Sequence, residues 1–446
     1  MLRKGDLTQG GITGTLLHFT LPMMVGSFLQ QCYNIADTLI VGQCIGAGAL
    51  AAVGSAYTLM VFLISVLLGL AMGSGTVFSL HYGAGNHVAL RRSIFSSFAL
   101  IGIVTLILNV AVFIWLDPIL RLLQVPQDIY GMMRSYLWII FCGIVFTFIY
   151  NFYASLLRAV GDSVTPIWFL AVSVVLNIAL DLFFILQLDW GIQGAAAATV
   201  LAQGVAALGI IIYTYRRRPE LRWHHEDMCF DRTCLKEIAS FSTLTCVQQS
   251  VMNLGILMIQ GLVNSFGTAV MAAFAAAVKI DSFAYMLVQE FGNAFSTFIA
   301  QNFGAGRYDR IHRGVRSAFV TAVVFSLLVS VLVFIFAKPL MLIFVRPDET
   351  EIIAVGVAYL RIEGAFYCGI GILFLLYGYY RAIRMPGMSV VLTVLSLGTR
   401  VVLSYWLASI PEIGVTGIWW SIPIGWLIAD VVGIWCYRYV KGVRGS

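Results

Sequence analysis

The sequence is poor in charge. Only 11% of its 446 residues are Asp, Glu, Lys or Arg, where a soluble domain carries roughly 25%. Since 60% of the residues are hydrophobic, a soluble globular fold is excluded and a polytopic membrane protein is expected. β-Barrel alternation is lacking too, so helices of about 20 apolar residues are what can satisfy the backbone in lipid. No Walker motif, HExxH, GxSxG or other catalytic signature occurs, which argues against an enzyme and against ATP as the driving force. The eight cysteines, Cys32, Cys142, Cys246 and Cys436 among them, show no framework spacing and read as small packing residues. His224, His225, Cys229 and Cys234 fit no zinc pattern. The first apolar run follows Arg3 and Lys4 without a cleavage site, and is read as a retained span rather than a signal peptide.

What charge there is follows the membrane. The net charge of +6 comes from basic residues placed for topology, which makes nucleic acid an unsuitable partner. Twenty of the 27 Lys and Arg fall in alternate loops and the two ends, from Arg91 and Arg92 through Arg216–Lys236 and Arg307–Arg316 to Arg438. The positive-inside rule then puts both termini and the 216–236 loop in the cytoplasm, and twelve spans fit the alternation.

The chain also repeats itself. HYGAGNHVALRR (81–92) returns as NFGAGRYDRIHR (302–313), with Gly83 recurring as Gly304, an offset of 221. Pro118 and Pro126 return as Pro339 and Pro347 at that offset, and Tyr136, Arg158, Gly191 and Gly194 as Tyr359, Arg381, Gly414 and Gly417 at 223. A register held along the whole chain is an internal duplication. The expected fold is therefore all-α, with twelve transmembrane helices in two six-helix lobes. The lobes are expected at residues 1–215 and 237–446, joined by a cytoplasmic linker over 216–236. Six spans per lobe make the repeats parallel, with a cleft expected near the midplane at their interface. Glycine pairs such as Gly42/Gly46 and Gly69/Gly73 are read as sites of close helix approach.

Two polar stripes cross this apolar background. Gln30, Asn34 and Asp37 fall at i, i+4 and i+7 of the first span, and Ser173, Asn177 and Asp181 at i, i+4 and i+8 of the fifth. An ionised carboxylate at mid-membrane depth costs at least about 2.5–3.5 kcal/mol, so each acid must face a cavity, a cation or a partner. The stripes are expected to face each other and hold a cation or a proton. Two adjacent carboxylates repel, so either one takes a proton or a cation sits between them. Carboxylate, amide and hydroxyl oxygens suit a hard ion such as Na⁺.

The sequence resembles the multidrug and toxic compound extrusion (MATE) family, and most its DinF-like and multidrug-exporter bacterial members. The resemblance covers nearly the whole chain and is carried by FTLPMMVG (19–26), YNIADTLIVGQCIGAGALAAVG (33–54), the paired YGAG and FGAG loops, RAVGDSVTP (158–166) and NIALDLFFI (177–185). It implies a V-shaped pair of lobes that alternate between inward- and outward-open states in a bacterial cytoplasmic membrane. It also implies export of amphipathic, often cationic compounds in exchange for Na⁺ or H⁺, with no other cofactor, by a functional monomer. The family's first-lobe cation site matches Asp37, Asn177, Asp181 and Thr199, Asn151 matches a polar position near it, and Glu290 matches an acid of the eighth span. The seventh span departs from the pattern, with only Gln248, Gln249, Asn253, Gln260 and Asn264 where some members carry an acid.

The lobes differ in chemistry. Shifted by 223, Asn177 and Asp181 land on Arg400 and Ser404, so coupling is expected in the first lobe. Arg400 has two readings, a partner for Glu363 or Glu290 and a snorkelling interfacial side chain. Glu290 likewise has two, substrate or proton handling and a salt bridge to Lys279 or Arg361. A flippase for lipid-linked glycan precursors is the alternative function. Its cleft would be lined with several arginines, whereas Arg400 and Arg361 are the only candidates here.

Overall fold

The computed structural model describes residues 6–122, 125–228 and 231–444, and the described part is helical with no strand. Arg3, Lys4 and Cys229 lie outside it. In chain order the helices are α1 (Ile12–Cys44), α2 (Ala47–Gly83), α3 (His87–Leu122), α4 (Gln127–Cys142), α5 (Ile144–Ala159), α6 (Thr165–Leu182) and α7 (Gly191–Arg217). They continue as α8 (Arg232–Asn264), α9 (Thr268–Gly304), α10 (Tyr308–Met341), α11 (Thr350–Ala365), α12 (Tyr367–Ala382), α13 (Pro386–Ala408) and α14 (Val415–Arg444). Ten candidate spans are found among the described residues, or twelve if the bent pairs α4–α5 and α11–α12 are each one span.

Two of the twelve expected spans, the fourth and the tenth, are not single straight helices. They bend by 47° and 51°, at Gly143 and Phe366, which are themselves equivalent positions of the repeat. A hydropathy run reports length and polarity and is blind to such a bend. At Gly143 an added Cβ would lie 2.5 Å from a methyl of Val200, so α7 passes too close for a side chain there.

The duplication is written in the backbone as well. Left-handed φ angles recur at Gly46 and Gly267, Gly85 and Gly306, Gly161 and Arg384, and Gly191 and Gly414, at offsets of 221 or 223. In both GAG turns the first glycine ends a helix, α2 at Gly83 and α9 at Gly304, and the second supplies the positive φ, 69° in each.

Two compact units result. The first holds Asp6 and Leu21–Cys246, the second Leu7–Thr20 and the described residues from Val247 on. The described residues of 216–236, expected as the linker, pack within the first unit. Trp223 sits against Phe95, Phe98 and Tyr215, and Asp227 receives a 2.7 Å bond from Arg91 of α3. In the second unit the segment Leu7–Gly10 is a strap tied down by main-chain bonds. Its Leu7 N–H donates to Gln301 (3.0 Å), and its carbonyls accept from Asn302, Arg307 and Arg310.

Of the glycine pairs, Gly69 and Gly73 mark a close approach. A Cβ on either would meet α8 backbone, at Cys246 Cα (2.6 Å) and Ser242 Cα (2.5 Å). Gly42 meets only the side chain of Leu50, and Gly46 serves the turn before α2.

Candidate functional site

The first unit gathers the acids of both stripes. Asp37 arrives on α1, Asn177 and Asp181 on α6, and Thr199 on α7. The apolar faces of these helices pack inward, so a polar residue on the same face is carried in with them. Asn177 and Asp181 are fully buried, Asp37 and Thr199 nearly so. The carboxyl groups of Asp37 and Asp181 come within hydrogen-bonding reach of each other. Asn177 Nδ2 donates to Thr199 Oγ1 at 3.3 Å. Turned over, the same amide satisfies both its ends, donating to Asp181 Oδ2 (3.0 Å) and accepting from the Thr199 N–H (3.2 Å). The Thr199 hydroxyl also meets the Tyr33 hydroxyl at 3.2 Å.

Tyr33 and Tyr136 also stand at the site, and sequence reasoning assigned neither to the cation cluster. Both stand in the electrostatic field of the two acids. The available signal was position, since Tyr33 lies one turn before Asp37 on the same helix face. Immediately beyond Asp181, α6 widens into a π-helical turn, Phe183–Gln187. Such turns concentrate at functional sites. A pocket of oxygens around two carboxylates can hold a proton between them or a small hard cation.

The remaining candidates are not drawn into this cluster. Gln30 is exposed. Asn34 donates to Gln31 (3.3 Å), and Asn151 to the Thr147 carbonyl one turn back (2.8 Å). Thr147 itself hydrogen-bonds to Gln203.

The second unit has a different charged cluster in the corresponding place. Arg400, at the position of Asn177 in the repeat, lies among Asp281 and Glu363, each within reach of a tyrosine hydroxyl, Tyr367 and Tyr359 respectively. Of the two acids considered for Arg400, Glu363 is the one placed beside it here. Lys279 and Arg361 form no ion pair among the described residues. They stand over the rings of Phe344 and Phe334, so neither makes the salt bridge that was the second reading of Glu290 on α9. No group of three potential metal ligands occurs among the described residues, and His224 instead serves Asp227 through its backbone N–H (3.0 Å).

Ten to twelve apolar spans among the described residues, built on one duplicated plan with acids buried among them, mark a multi-pass membrane protein. The MatE family model matches the chain twice, at residues 22–183 and 245–406, and the second match is shifted by the offset of the repeat itself. The probable multidrug resistance protein YpnP of Bacillus subtilis (strain 168) is 30% identical over 98% of this chain and 97% of its own. The probable multidrug resistance protein NorM of Thermotoga maritima is 25% identical over 94% and 89%. A crystal structure of a MATE protein in a bent conformation superposes with a TM-score of 0.93 at 22% identity, covering 100% of this chain and 99% of that one, a likeness of fold. The chain belongs to the MATE family.

Proposed function

We propose that this protein is a cation-coupled antiporter that exports amphipathic, often cationic organic compounds by alternating access, with Na⁺ or H⁺ as the coupling ion. The observation that carries the reading is the buried Asp37–Asp181 pair, ringed by Asn177, Thr199 and Tyr33 in helices that cross the bilayer. Holding two carboxylates together at that depth is costly unless a proton or cation is bound, and an ion bound there on one side can be released on the other. Asp37, Asn177, Asp181 and Thr199 are the proposed coupling site, and Glu290 is assigned to substrate handling. The placement of Lys and Arg supports cytoplasmic termini, in a bacterial cytoplasmic membrane, with the monomer as the working unit. The names of the relatives and the scarcity of buried arginines favour drug export over the flippase of lipid-linked glycan precursors.

The test is efflux of a fluorescent organic cation from pump-deficient cells, in Na⁺ and Na⁺-free buffer. The natural sequence is expected to export, and Asp37→Asn and Asp181→Asn to fall to background while still inserting normally. Full activity in both variants overturns the assignment.

A further inference from the structure

The structure assigns an anionic phospholipid site to the groove between the start of α10 and the start of α1 in the second unit, with the lipid phosphate held by Arg313 and Arg316. The groove has a volume of about 330 Å³ and is lined by Thr13, Arg313, Arg316, Ser317, Val320 and Thr321. The five α10 residues fall at i, i+3, i+4, i+7 and i+8 of one helix face. Thr13 closes the other wall through a 2.7 Å bond to Ser317.

The four arginines at this end of α10 divide by role. Arg307 and Arg310 commit their donors to carbonyls of the strap, those of Thr8, Leu7, Gln9 and Gly10. Arg313 and Arg316 are exposed and form no ion pair among the described residues. Asp309, one turn before Arg313, is the only acid in the first four turns of the helix, and no acid lines the groove. Two guanidinium groups and three hydroxyls therefore line a groove that, among the described residues, holds no acid. Guanidinium pairs with phosphate oxygens through two parallel hydrogen bonds.

The floor identifies the ligand as a lipid rather than a free anion. Val320 continues into an exposed apolar track on the same face, Val324, Leu327, Leu328 and Val331. A headgroup seated on the arginines thus has its acyl chains laid along that track, which a soluble phosphate cannot use. Charges placed only to orient a span need neither a groove nor hydroxyls. A basic pocket at the end of a spanning helix, open to the bilayer, is the usual form of a lipid headgroup site.

The full chain, purified in detergent, is unfolded thermally in the presence of phosphatidylglycerol, phosphatidylcholine or inorganic phosphate. Phosphatidylglycerol is expected to raise the midpoint and the other two are not. In the Arg313→Gln/Arg316→Gln variant the concentration needed for half the shift is expected to rise about 30-fold, the effect of removing two cations from an anionic lipid. Arg216→Gln/Arg217→Gln, which removes the same charge from the end of α7, is expected to leave it unchanged. Val320→Trp, which fills the groove at an exposed position and keeps the charge, is expected to weaken the lipid response. An equal loss in both double variants, an unaltered response in Arg313→Gln/Arg316→Gln and Val320→Trp, or a shift reproduced by inorganic phosphate alone overturns the site.

Discussion

Asp181 and Ser404 occupy the same place in the two halves of the chain, and both are fully buried. The first keeps a carboxyl beside Asp37, and the second keeps only a hydroxyl, 2.6 Å from that of Ser421. One turn earlier the exchange is larger, an amide at Asn177 against a guanidinium at Arg400. The backbone plan was kept while the charge at its centre was inverted.

Arg400 is consequently expected to be needed for charge balance in the second unit. Its Nε and the Oε2 of Glu363 make no direct hydrogen bond, so the compensation runs across a short gap rather than through one contact. Arg400→Leu leaves Asp281 and Glu363 uncompensated and should lower stability by up to about 3–5 kcal/mol. Arg400→Leu/Glu363→Gln should recover at least half of that loss. Thermal midpoints of the two variants decide it, and a double variant no better than the single one would break the argument.

Thr199 ties α7 to the first-unit cluster, its hydroxyl meeting that of Tyr33 and its N–H facing the amide oxygen of Asn177 once that amide is turned to donate to Asp181. Thr199→Val keeps the shape and the N–H but leaves the Tyr33 hydroxyl short of a partner, at a cost of about 1–3 kcal/mol for a buried polar group. Roughly tenfold more coupling ion should then be required for half-maximal export. Tyr33→Phe, which removes the stranded hydroxyl itself, should shift the ion requirement less. Dose–response curves for the ion, taken with both variants, make the comparison.

Gly73 tests the packing of α2 on α8. Its Cβ would meet Phe241 and Ser242 backbone, which cannot rotate aside as a side chain can. Gly73→Ala should therefore destabilise by about 1–3 kcal/mol, the usual cost of overpacking. Gly54→Ala, on the same helix with open space around it, should be neutral. Melting of the two proteins in detergent separates these expectations.

Asp227 gives a pH signature outside the membrane. Burial opposes its charge, but the His224 N–H and the Arg91 guanidinium outweigh that and hold the carboxyl below the usual carboxylate range. A carboxyl lowered in the folded state contributes stability in full above its unfolded value of about 3.9, and loses it as pH falls through the lower folded value. Asp227→Asn should thus cost about 1.5–3 kcal/mol at pH 6, and the gap from the natural sequence should close progressively below about pH 4. A midpoint difference that stays constant from pH 6 to below pH 4 would contradict this account.

Much of the site was legible because membrane burial makes polar residues conspicuous. Asn177 and Asp181 lie one turn apart in an apolar run, and so had to face inward. Gln30 shares the stripe of Asp37 but is exposed rather than drawn into the buried cluster, since an amide left in the open costs far less than a carboxylate. Nothing in the local sequence assigns Asp281, which lies two residues after Lys279 and so on a different helix face. What gives it a role is Glu363 and Arg400, brought in on α11 and α13 from far along the chain. The strap left no trace in the sequence because its bonds use carbonyls, which every residue has.

That strap bears on how the protein is handled at the bench. The Arg310 guanidinium holds three carbonyls near the chain's start, those of Leu7, Gln9 and Gly10, and Gln301 and Asn302, both fully buried, complete the clasp. A fusion or affinity handle joined close to Leu7, or a trimming that removes the first ten residues, pulls on this clasp and breaks the bonds that Gln301, Asn302, Arg307 and Arg310 make to it. Labels and purification tags are therefore better kept away from Leu7–Gly10.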